Sequence, residues 1–132
     1  MRVLLDTHYL LWLLNRPALV RPDILDTLAD PRVAIFFSAA SVWEIAIKRA
    51  LGRTDFGVEP AAIIEGGREA GMVSLPVMAE TAARVATLPR HHRDPFDRLL
   101  VVQAMADAAR LLTADERLAP YSELVWVVPP AA

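Results

Sequence analysis

Four acidic residues occupy positions from which they could do chemistry together: Asp6, Glu44, Asp97 and Asp115. Asp6 ends the apolar run RVLL, Asp115 closely follows the run LLT, and the other two lie near the starts of predicted helices. Two carboxylates about 4 Å apart repel by roughly 4 kcal/mol at an effective dielectric near 20, so such a cluster takes up protons or binds a cation. Oxygen ligands without cysteine favour Mg²⁺ or Mn²⁺. A hard cation held in this way is suited to phosphodiester hydrolysis, because it can activate a bound water.

Three of the acids also have a purely structural interpretation. Asp6 could cap the helix that follows it. The segment SVWE at residues 41–44 fits a capping box, and Glu44 with Lys48 forms a favourable i,i+4 pair. The segment TADE at residues 113–116 fits a second capping box. Taken singly, these interpretations compete with the functional one, but four acids directed toward one sheet edge favour a carboxylate cluster.

Asp97 is harder to explain as a structural residue, although the helix dipole favours an acid in a first helical turn. It stands at the head of a helical stripe that should face the core, whereas Arg98 is expected to turn outward. A charge in that position needs a partner or a metal. Asp94, just before Pro95, is the natural N-cap of this helix, which leaves Asp97 free for another role. The apolar members of the stripe are Leu100, Val101, Ala104 and Ala108.

The elements that must position these acids alternate along the chain. Predicted strands cover Val3–Leu5, Val33–Phe37, Met72–Leu75, Leu111–Thr113 and Val125–Val128. Predicted helices cover His8–Leu14, Pro22–Ala29, Ala40–Leu51, Pro60–Ala70, Met78–Thr87 and Pro95–Ala108. This alternation predicts an α/β fold with a parallel sheet, helices on both of its faces and right-handed crossovers. Ligands of such sheets lie beyond the carboxyl ends of the strands, near the point where strand order reverses.

Length and composition limit the function classes. Residues 1–132 are predicted to form a single domain with a real core. The absence of cysteine excludes disulfides, thiolate metal sites and a thiol nucleophile, and it suits a reducing cytoplasm. We expect no membrane span and no signal peptide. The net charge of −2 argues mildly against a nucleic-acid partner, but neutralising the four carboxylates with bound cations would reverse its sign.

Four segments carry a resemblance to a known family. The chain resembles the PIN-domain family, and most closely its VapC-type toxin ribonucleases of bacterial toxin–antitoxin pairs, through LLDTHYLLW, SAASVWEIAIK, HRDPFDRLLVVQA and LLTAD in this order. The resemblance implies a three-layer α/β/α sandwich with a five-stranded parallel sheet. It also implies that the four acids form the catalytic metal site, with Asp94 and Thr113 as accessory groups. Further implications are Mg²⁺ or Mn²⁺ as cofactor, an RNA substrate, a homodimer, a cognate antitoxin and a cytoplasmic location.

The loop LPRHHRDP concentrates basic side chains just before the helix of Asp97. Arg90, His91, His92 and Arg93 are predicted to hold RNA phosphates, although a solvated loop explains them equally well. His91 and His92 are adjacent and share no helical or strand face, so neither is predicted to bind a metal.

The helix predicted over His8–Leu14 is apolar over more than one stripe. This width predicts either contact with a second subunit or antitoxin, or complete burial within the domain.

Other function classes fit less well. An aspartic protease needs glycine directly after its Asp-Thr pair, and this chain has His8 there. An aspartyl phosphatase needs a second aspartate at that same position. A processing ribonuclease that is not a toxin, and a non-catalytic acidic binding module, stay as alternatives.

Overall fold

Five parallel strands form the centre of the computed structural model, which describes residues 1–131. They are β1 (Arg2–Leu5), β2 (Ala34–Ser38), β3 (Val73–Leu75), β4 (Arg110–Thr113) and β5 (Val125–Val127). The strands pair in the order β3-β2-β1-β4-β5, and every neighbouring pair is parallel. The predicted sheet is confirmed, with strand bounds within one residue of those expected.

Helices connect the strands and cover the sheet. They are α1 (Thr7–Asn15), α2 (Pro22–Ala29), α3 (Ala39–Ala50), α4 (Pro60–Glu69), α5 (Ala79–Ala83) and α6 (Pro95–Ala106). Short 3₁₀ turns lie at Pro17–Leu19, Thr54–Phe56, Arg84–Thr87 and Glu116–Tyr121. The single helix predicted over Met78–Thr87 is therefore divided into α5 and a 3₁₀ turn. No helix within residues 1–131 is long and apolar enough to cross a membrane.

The strand β1 sends apolar side chains to both faces of the sheet. Val3 and Leu5 are fully buried in the cluster that β1 shares with α1, α2 and α4. Leu4 is fully buried in the cluster that β1 shares with α6. A parallel strand buried on both faces has a continuous apolar sequence, which is why residues 3–5 show no polar alternation. The three-layer α/β/α sandwich is thus confirmed.

The wide apolar surface of α1 packs within its own domain. Three of its side chains are buried in the core, and three more are partly buried against the same cluster. The buried set is Tyr9, Leu10 and Leu11, and the partly buried set is Trp12, Leu13 and Leu14. Burial within the domain therefore accounts for the apolar width of this helix.

The strand order reverses between β1 and β4. The chain places β2 and β3 on one side of β1, and then returns to place β4 and β5 on the other side. Asp6 follows β1, and its main-chain N–H donates to the carbonyl of Leu112 in β4 at 3.0 Å. Open α/β sheets bind ligands at such a junction, so Asp6 stands where a site is expected.

Candidate active site

Asp6 is both a helix cap and a buried acid at the junction of β1 and β4. Its Oδ1 accepts a hydrogen bond from the Tyr9 main-chain N–H at 2.8 Å, and its Oδ2 accepts one from the Thr113 hydroxyl at 2.6 Å. The residue is 5% exposed. Burial raises the pKa of the Asp6 carboxyl to about 6, and both hydrogen bonds oppose that rise. Capping alone does not account for Asp6, because its second oxygen is bound across the strand junction.

Glu44 is buried on α3, and two side chains pair with its oxygens. The Thr7 hydroxyl donates to its Oε1 at 2.6 Å, and the Lys48 ammonium forms an ion pair with its Oε2. The Ser41 hydroxyl lies 3.0 Å from the Thr7 hydroxyl and extends this buried polar chain. A buried carboxylate with both oxygens paired is held in one orientation. The predicted Glu44–Lys48 pair is confirmed.

The capping box predicted at residues 41–44 is wrong. Helix α3 begins at Ala39, directly after β2, so Ser41 is already inside the first turn. The N-cap is Ser38, whose hydroxyl accepts a hydrogen bond from the Ala40 main-chain N–H at 2.9 Å. Ser41 is thereby free to contact Thr7, which connects it to the environment of Glu44.

Asp94 and Asp97 stand at the start of α6 and differ in their roles. Asp94 caps the helix as predicted, since its Oδ1 accepts from the main-chain N–H groups of Phe96 at 2.8 Å and Asp97 at 3.3 Å. The Asp97 carboxylate accepts no hydrogen bond from residues 1–131, and the His92 Nε2 lies 3.6 Å from its Oδ2. Burial, the largest cause, and four neighbouring carboxylates together raise the pKa of the Asp97 carboxyl to about 8. At neutral pH this group therefore holds a proton or requires a cation.

Asp115 follows β4 and has the opposite environment. The Arg117 guanidinium donates to both of its oxygens at 3.0 Å, and the His92 Nε2 lies 2.7 Å from its Oδ2. These contacts, with Arg117 the largest, lower the pKa of the Asp115 carboxyl to about 2. The Asp115 Oδ1 also accepts from the Arg117 main-chain N–H, so Asp115 is the N-cap of the following 3₁₀ turn. The capping box predicted at residues 113–116 is therefore wrong, because the Thr113 hydroxyl accepts from the Asp115 main-chain N–H at 3.1 Å, not from that of Glu116, while it donates to Asp6.

The His92 ring lies inside the site, and its side chain is only 6% exposed. Its Nδ1 accepts a hydrogen bond from the Asp94 main-chain N–H at 2.9 Å, so in the neutral ring Nε2 carries the proton and donates to Asp115. The His92 main-chain N–H donates to the Tyr121 hydroxyl at 2.9 Å. A protonated ring nitrogen cannot ligate a cation, so in this arrangement His92 orients Asp115. Its ring lines one cavity with the other residues of its loop but is nearly buried, so it offers little surface to an RNA phosphate.

The other members of the predicted RNA-binding loop are exposed. They line a cavity of about 740 Å³, which we name the basic cavity. Four arginines and two histidines form its walls, and the positive charge of the arginines suits phosphate groups. The lining residues are Arg90, His91, His92, Arg93, Arg98 and Arg117.

Three of the four predicted acids line a second cavity of about 430 Å³, which we name the acidic cavity. These are Asp6, Asp97 and Asp115. One ligand atom each from Asp97, Asp115 and His92 lies within 4.8 Å of the other two. Glu44 does not line the cavity, but its charge contributes to the raised pKa values of Asp6 and Asp97. The structure therefore brings three predicted acids to one surface and keeps the fourth behind it.

The donor set of the acidic cavity fits a hard divalent cation. Its available donors are carboxylate oxygens, which Mg²⁺ and Mn²⁺ prefer. Asp97 has a desolvated carboxylate without a hydrogen-bond donor, so a cation would satisfy it. Asp115 is bound to Arg117, but that arginine side chain is 69% exposed and has room to move away.

Comparison with known proteins identifies the domain that carries this site. A PIN domain family model matches residues 3–124. The chain belongs to the PIN-domain family. PIN domains are typically nucleases, which agrees with an acidic cavity at the carboxyl edge of the sheet.

Two solved structures resemble this PIN domain. VapBC2 from Rickettsia felis, bound to a DNA fragment from its promoter, matches with a TM-score of 0.69 and 15% sequence identity over 99% of this chain and 100% of that chain. FitAB bound to an IR36 DNA fragment matches with a TM-score of 0.49 and 21% identity over 86% of this chain and 85% of that chain. No curated protein matches the chain. The VapBC2 likeness supports the α/β/α fold.

Helix α6 of this PIN domain differs from the prediction in two places. Arg98 does not turn outward, because its guanidinium donates to the carbonyls of Val85 and Leu88 at 3.2 and 3.3 Å. The helix ends at Ala106, and Ala108 is exposed with a left-handed φ of 51°, so Ala108 is not part of the core stripe. The other stripe members are buried as predicted, namely Leu100, Val101 and Ala104.

Four side chains that orient the acids of this PIN domain were not predicted. Thr7 and Ser41 act on Glu44, and Arg117 and Tyr121 act on the pair of Asp115 and His92. Only Arg117 has a local sequence signal, because an acid and an arginine two residues apart can pair directly. The other three act across long sequence separations, which a single sequence does not reveal.

Proposed function

We propose that this PIN domain is a metal-dependent endoribonuclease and the toxin of a type II toxin–antitoxin pair. The observation that carries the proposal is the Asp97 carboxylate, which lies beside Asp115 in the acidic cavity and accepts no hydrogen bond from the part of the chain that the structure describes. A structural acid would gain nothing from such a position. A cation ligand needs a carboxylate lone pair that no donor occupies, and Asp97 offers both of its oxygens.

The proposed site consists of Asp6, Glu44, Asp97 and Asp115 holding Mg²⁺ or Mn²⁺. When bound, such an ion would lower the pKa of a bound water and neutralise charge on the phosphate. Thr113 holds the Asp6 oxygen across the strand junction. Asp94 fixes the start of α6 and thereby the position of Asp97.

The basic cavity is proposed to hold the phosphates of the RNA chain. Arg90, His91 and Arg93 are exposed there, and Arg117 contributes to both cavities. Phosphate contacts of this kind position a nucleic acid without reading its sequence. The adjacent acidic cavity would then receive the scissile phosphodiester.

The partners are proposed from the family and its relatives. The VapBC2 and FitAB structures contain DNA, and the VapC-type resemblance implies a cognate antitoxin. We propose that this chain likewise has a cognate antitoxin as its partner. We also propose that it forms a homodimer and is located in the cytoplasm. Light scattering that finds a monomer in the purified protein would remove the homodimer from this proposal.

The test of catalysis uses purified protein, RNA, and either Mg²⁺, Mn²⁺ or a chelator. We expect internal cleavage only with a divalent cation, and loss of cleavage in Asp6→Asn and Glu44→Gln. The matched control is Asp26→Asn, which removes an exposed carboxylate on α2 and should cleave normally. Equal activity in the chelated and metal-loaded protein would contradict the proposal.

The test of the toxin assignment is brief expression in a bacterial host followed by sequencing of RNA ends. We expect growth arrest and new ends at defined sites, both absent in Asp6→Asn. Cleavage of purified RNA without growth arrest would favour a processing ribonuclease instead.

A further inference from the structure

A third cavity continues the surface formed by the basic and acidic cavities. The basic and acidic cavities share His92 and Arg117 in their walls. The acidic cavity shares His8 and Trp12 with a further cavity of about 190 Å³ on its other side. The three cavities therefore form one path, with positive charge at one end, carboxylates in the middle and aromatic side chains at the other end.

The aromatic end of this path is held by packing against the core. Phe56 is completely buried, and its ring meets the His8 ring edge-on with centroids 5.6 Å apart. Trp12 packs edge-on against the buried Tyr9 with centroids 4.9 Å apart. These contacts keep the two shared side chains in place between the acidic and third cavities.

Polar groups complete the third cavity. Asn15 offers both an amide donor and an amide acceptor, Thr54 offers a hydroxyl, and Asp55 offers a carboxylate. Asn15 is exposed and the Asp55 side chain is 44% exposed, so both can reach a ligand. The Asp55 Oδ2 lies 3.8 Å from the His8 Nε2, which places the carboxylate beside the aromatic wall.

This combination suits a nucleobase better than a phosphate. Unpaired RNA bases bind by stacking on aromatic or histidine rings and by hydrogen bonds along their edges. Arg16 also lines the cavity and would attract a phosphate, whereas the Asp55 carboxylate would repel one and accepts hydrogen bonds from N–H donors of a base. Among the four RNA bases, guanine presents two adjacent donors on its Watson–Crick edge, whereas uracil presents one.

We propose that the third cavity is a nucleobase subsite of the nuclease, in which Trp12 and His8 stack on a base next to the scissile phosphate while Asn15 and Asp55 contact its edge. The subsite rests on the proposed function, because it assigns one base of the same RNA substrate. Such a subsite would give the nuclease a preference for certain cleavage sites, although its contacts to RNA phosphates do not depend on sequence.

The experiment compares nucleoside 5′-monophosphates with ribose 5-phosphate in the presence of Mg²⁺. A monophosphate has no phosphodiester bond for an endoribonuclease to cleave, and ribose 5-phosphate lacks only the base. The chain has three tryptophans, so their indole N–H signals are resolved by NMR and assigned from the Trp12→Leu variant. Trp43 is the internal control, since it is exposed on α3 and lines none of the three cavities.

We expect guanosine monophosphate to shift the Trp12 indole signal and to bind roughly tenfold more tightly than ribose 5-phosphate, as base stacking predicts. The Trp43 signal should stay in place. Trp12→Leu should remove most of this advantage, whereas Trp43→Leu should keep it. Asp55→Asn changes an exposed side chain without threatening the fold, and it should reduce the preference for guanosine over uridine monophosphate.

Two results separate this subsite from the nuclease proposal. RNA cleavage by the unmodified protein, with no Trp12 shift and with the same cleavage-site preference in Asp55→Asn, overturns the subsite and leaves the nuclease. A base-dependent Trp12 shift without RNA cleavage under any metal supports the cavity as a nucleobase site and overturns the nuclease.

Discussion

The start of α6 and the segment after β4 form two walls of the acidic cavity, and Asp94 and Asp97 line it from the first wall and Asp115 from the second. Asp97 on the first wall accepts no hydrogen bond from residues 1–131, and burial is the largest cause of the rise in the pKa of its carboxyl to about 8. Asp115 on the second wall is paired with Arg117 and His92, which lower the pKa of its carboxyl to about 2. Oxygens of these two residues lie within 4.8 Å of each other.

This difference shows that the chain itself neutralises the Asp115 carboxylate and, within the part that the structure describes, provides no positive partner for the Asp97 carboxylate, which is therefore available to a bound cation. The two residues have the same chemistry, so their separation in pKa arises from the donors that surround them. The Arg117 guanidinium supplies at Asp115 the positive charge that a cation would supply at Asp97. A divalent ion should therefore act mainly on the α6 wall when it first binds.

Replacing Asp97 or Asp115, one from each wall, by asparagine should have the largest effect of the changes predicted here. Asp97→Asn and Asp115→Asn should each reduce metal-dependent RNA cleavage by at least about 100-fold, the upper end of losses measured for groups that only support metal ligands. Their effects on the metal-free protein should have opposite signs. Asp97→Asn should melt several degrees higher because it removes a desolvated carboxylate, and Asp115→Asn should melt lower because it loses its ion pairs.

The control for these two variants is Asp94→Asn, measured by the same cleavage assay and thermal melts. It should have a milder effect on cleavage if Asp94 is only a cap. Loss of activity in Asp94→Asn as great as in Asp97→Asn would show that the roles of these two aspartates are exchanged.

Binding of a cation should neutralise Asp97 on the first wall, as Arg117 already neutralises Asp115 on the second. At 100 times its dissociation constant, Mg²⁺ or Mn²⁺ should stabilise the fold by about 2.7 kcal/mol through mass action. Thermal unfolding should record this as a rise of several degrees in Tm. Asp97→Asn should respond much less to the ion, and an unchanged response would place the ion elsewhere.

The stability of the metal-free protein should depend on pH in one range because of Asp97 and in another range because of Asp115. Asp97 has a raised pKa when folded, so its proton is retained on folding and stability falls as pH rises from about 4 to about 8, by at most about 1.4 kcal/mol per pH unit. Asp6 adds to this fall between about 4 and about 6. Asp115 has a lowered pKa, so its contribution is present above about 4 and is lost as pH falls toward 2. Urea unfolding across this pH range measures both changes in the free energy of unfolding. In Asp97→Asn this free energy should fall much less as pH rises toward about 8.

The smallest effect should come from removal of the Arg117 side chain. Arg117→Ala should strengthen Mn²⁺ binding by a factor of about five or less and weaken RNA binding, because the freed Asp115 favours a cation while the basic cavity loses a charge. Arg93→Ala is the matched control, since it removes an exposed charge from the basic cavity alone. Calorimetric titration with Mn²⁺ distinguishes them. Equal changes in both variants would mean that net charge, not the Arg117–Asp115 contact, governs cation binding.

Local sequence signals predicted the parts of the fold and site that depend on local geometry. The apolar runs gave strand positions within one residue, because strands buried on both faces need continuous apolar sequence. Asp94 was predicted as the cap of α6 because Pro95 follows it at the first helical position. The ion pair of Glu44 and Lys48 follows from helical spacing.

The parts that local signals did not predict depend on long-range contacts. His92 is held by Asp94, Asp115 and Tyr121, and the last two lie 23 and 29 residues away from it. Arg98 was expected to face solvent because of its position on α6. The preceding loop instead folds back so that carbonyls of two of its residues accept from the Arg98 guanidinium. Helical periodicity contains no information about such a loop.

The hydrogen bond between Thr113 and Asp6 joins positions 107 residues apart and has a consequence for synthesis on the ribosome. Asp6 and Glu44 emerge early, but β4, Asp97 and Asp115 emerge much later. Until β4 has left the ribosome and paired with β1, the Asp6 carboxylate lacks its Thr113 partner and the acidic cavity lacks a wall. A nascent chain that cleaves RNA as proposed should therefore be unable to cut the messenger that encodes it, or the ribosomal RNA beside it, before β4 has left the ribosome.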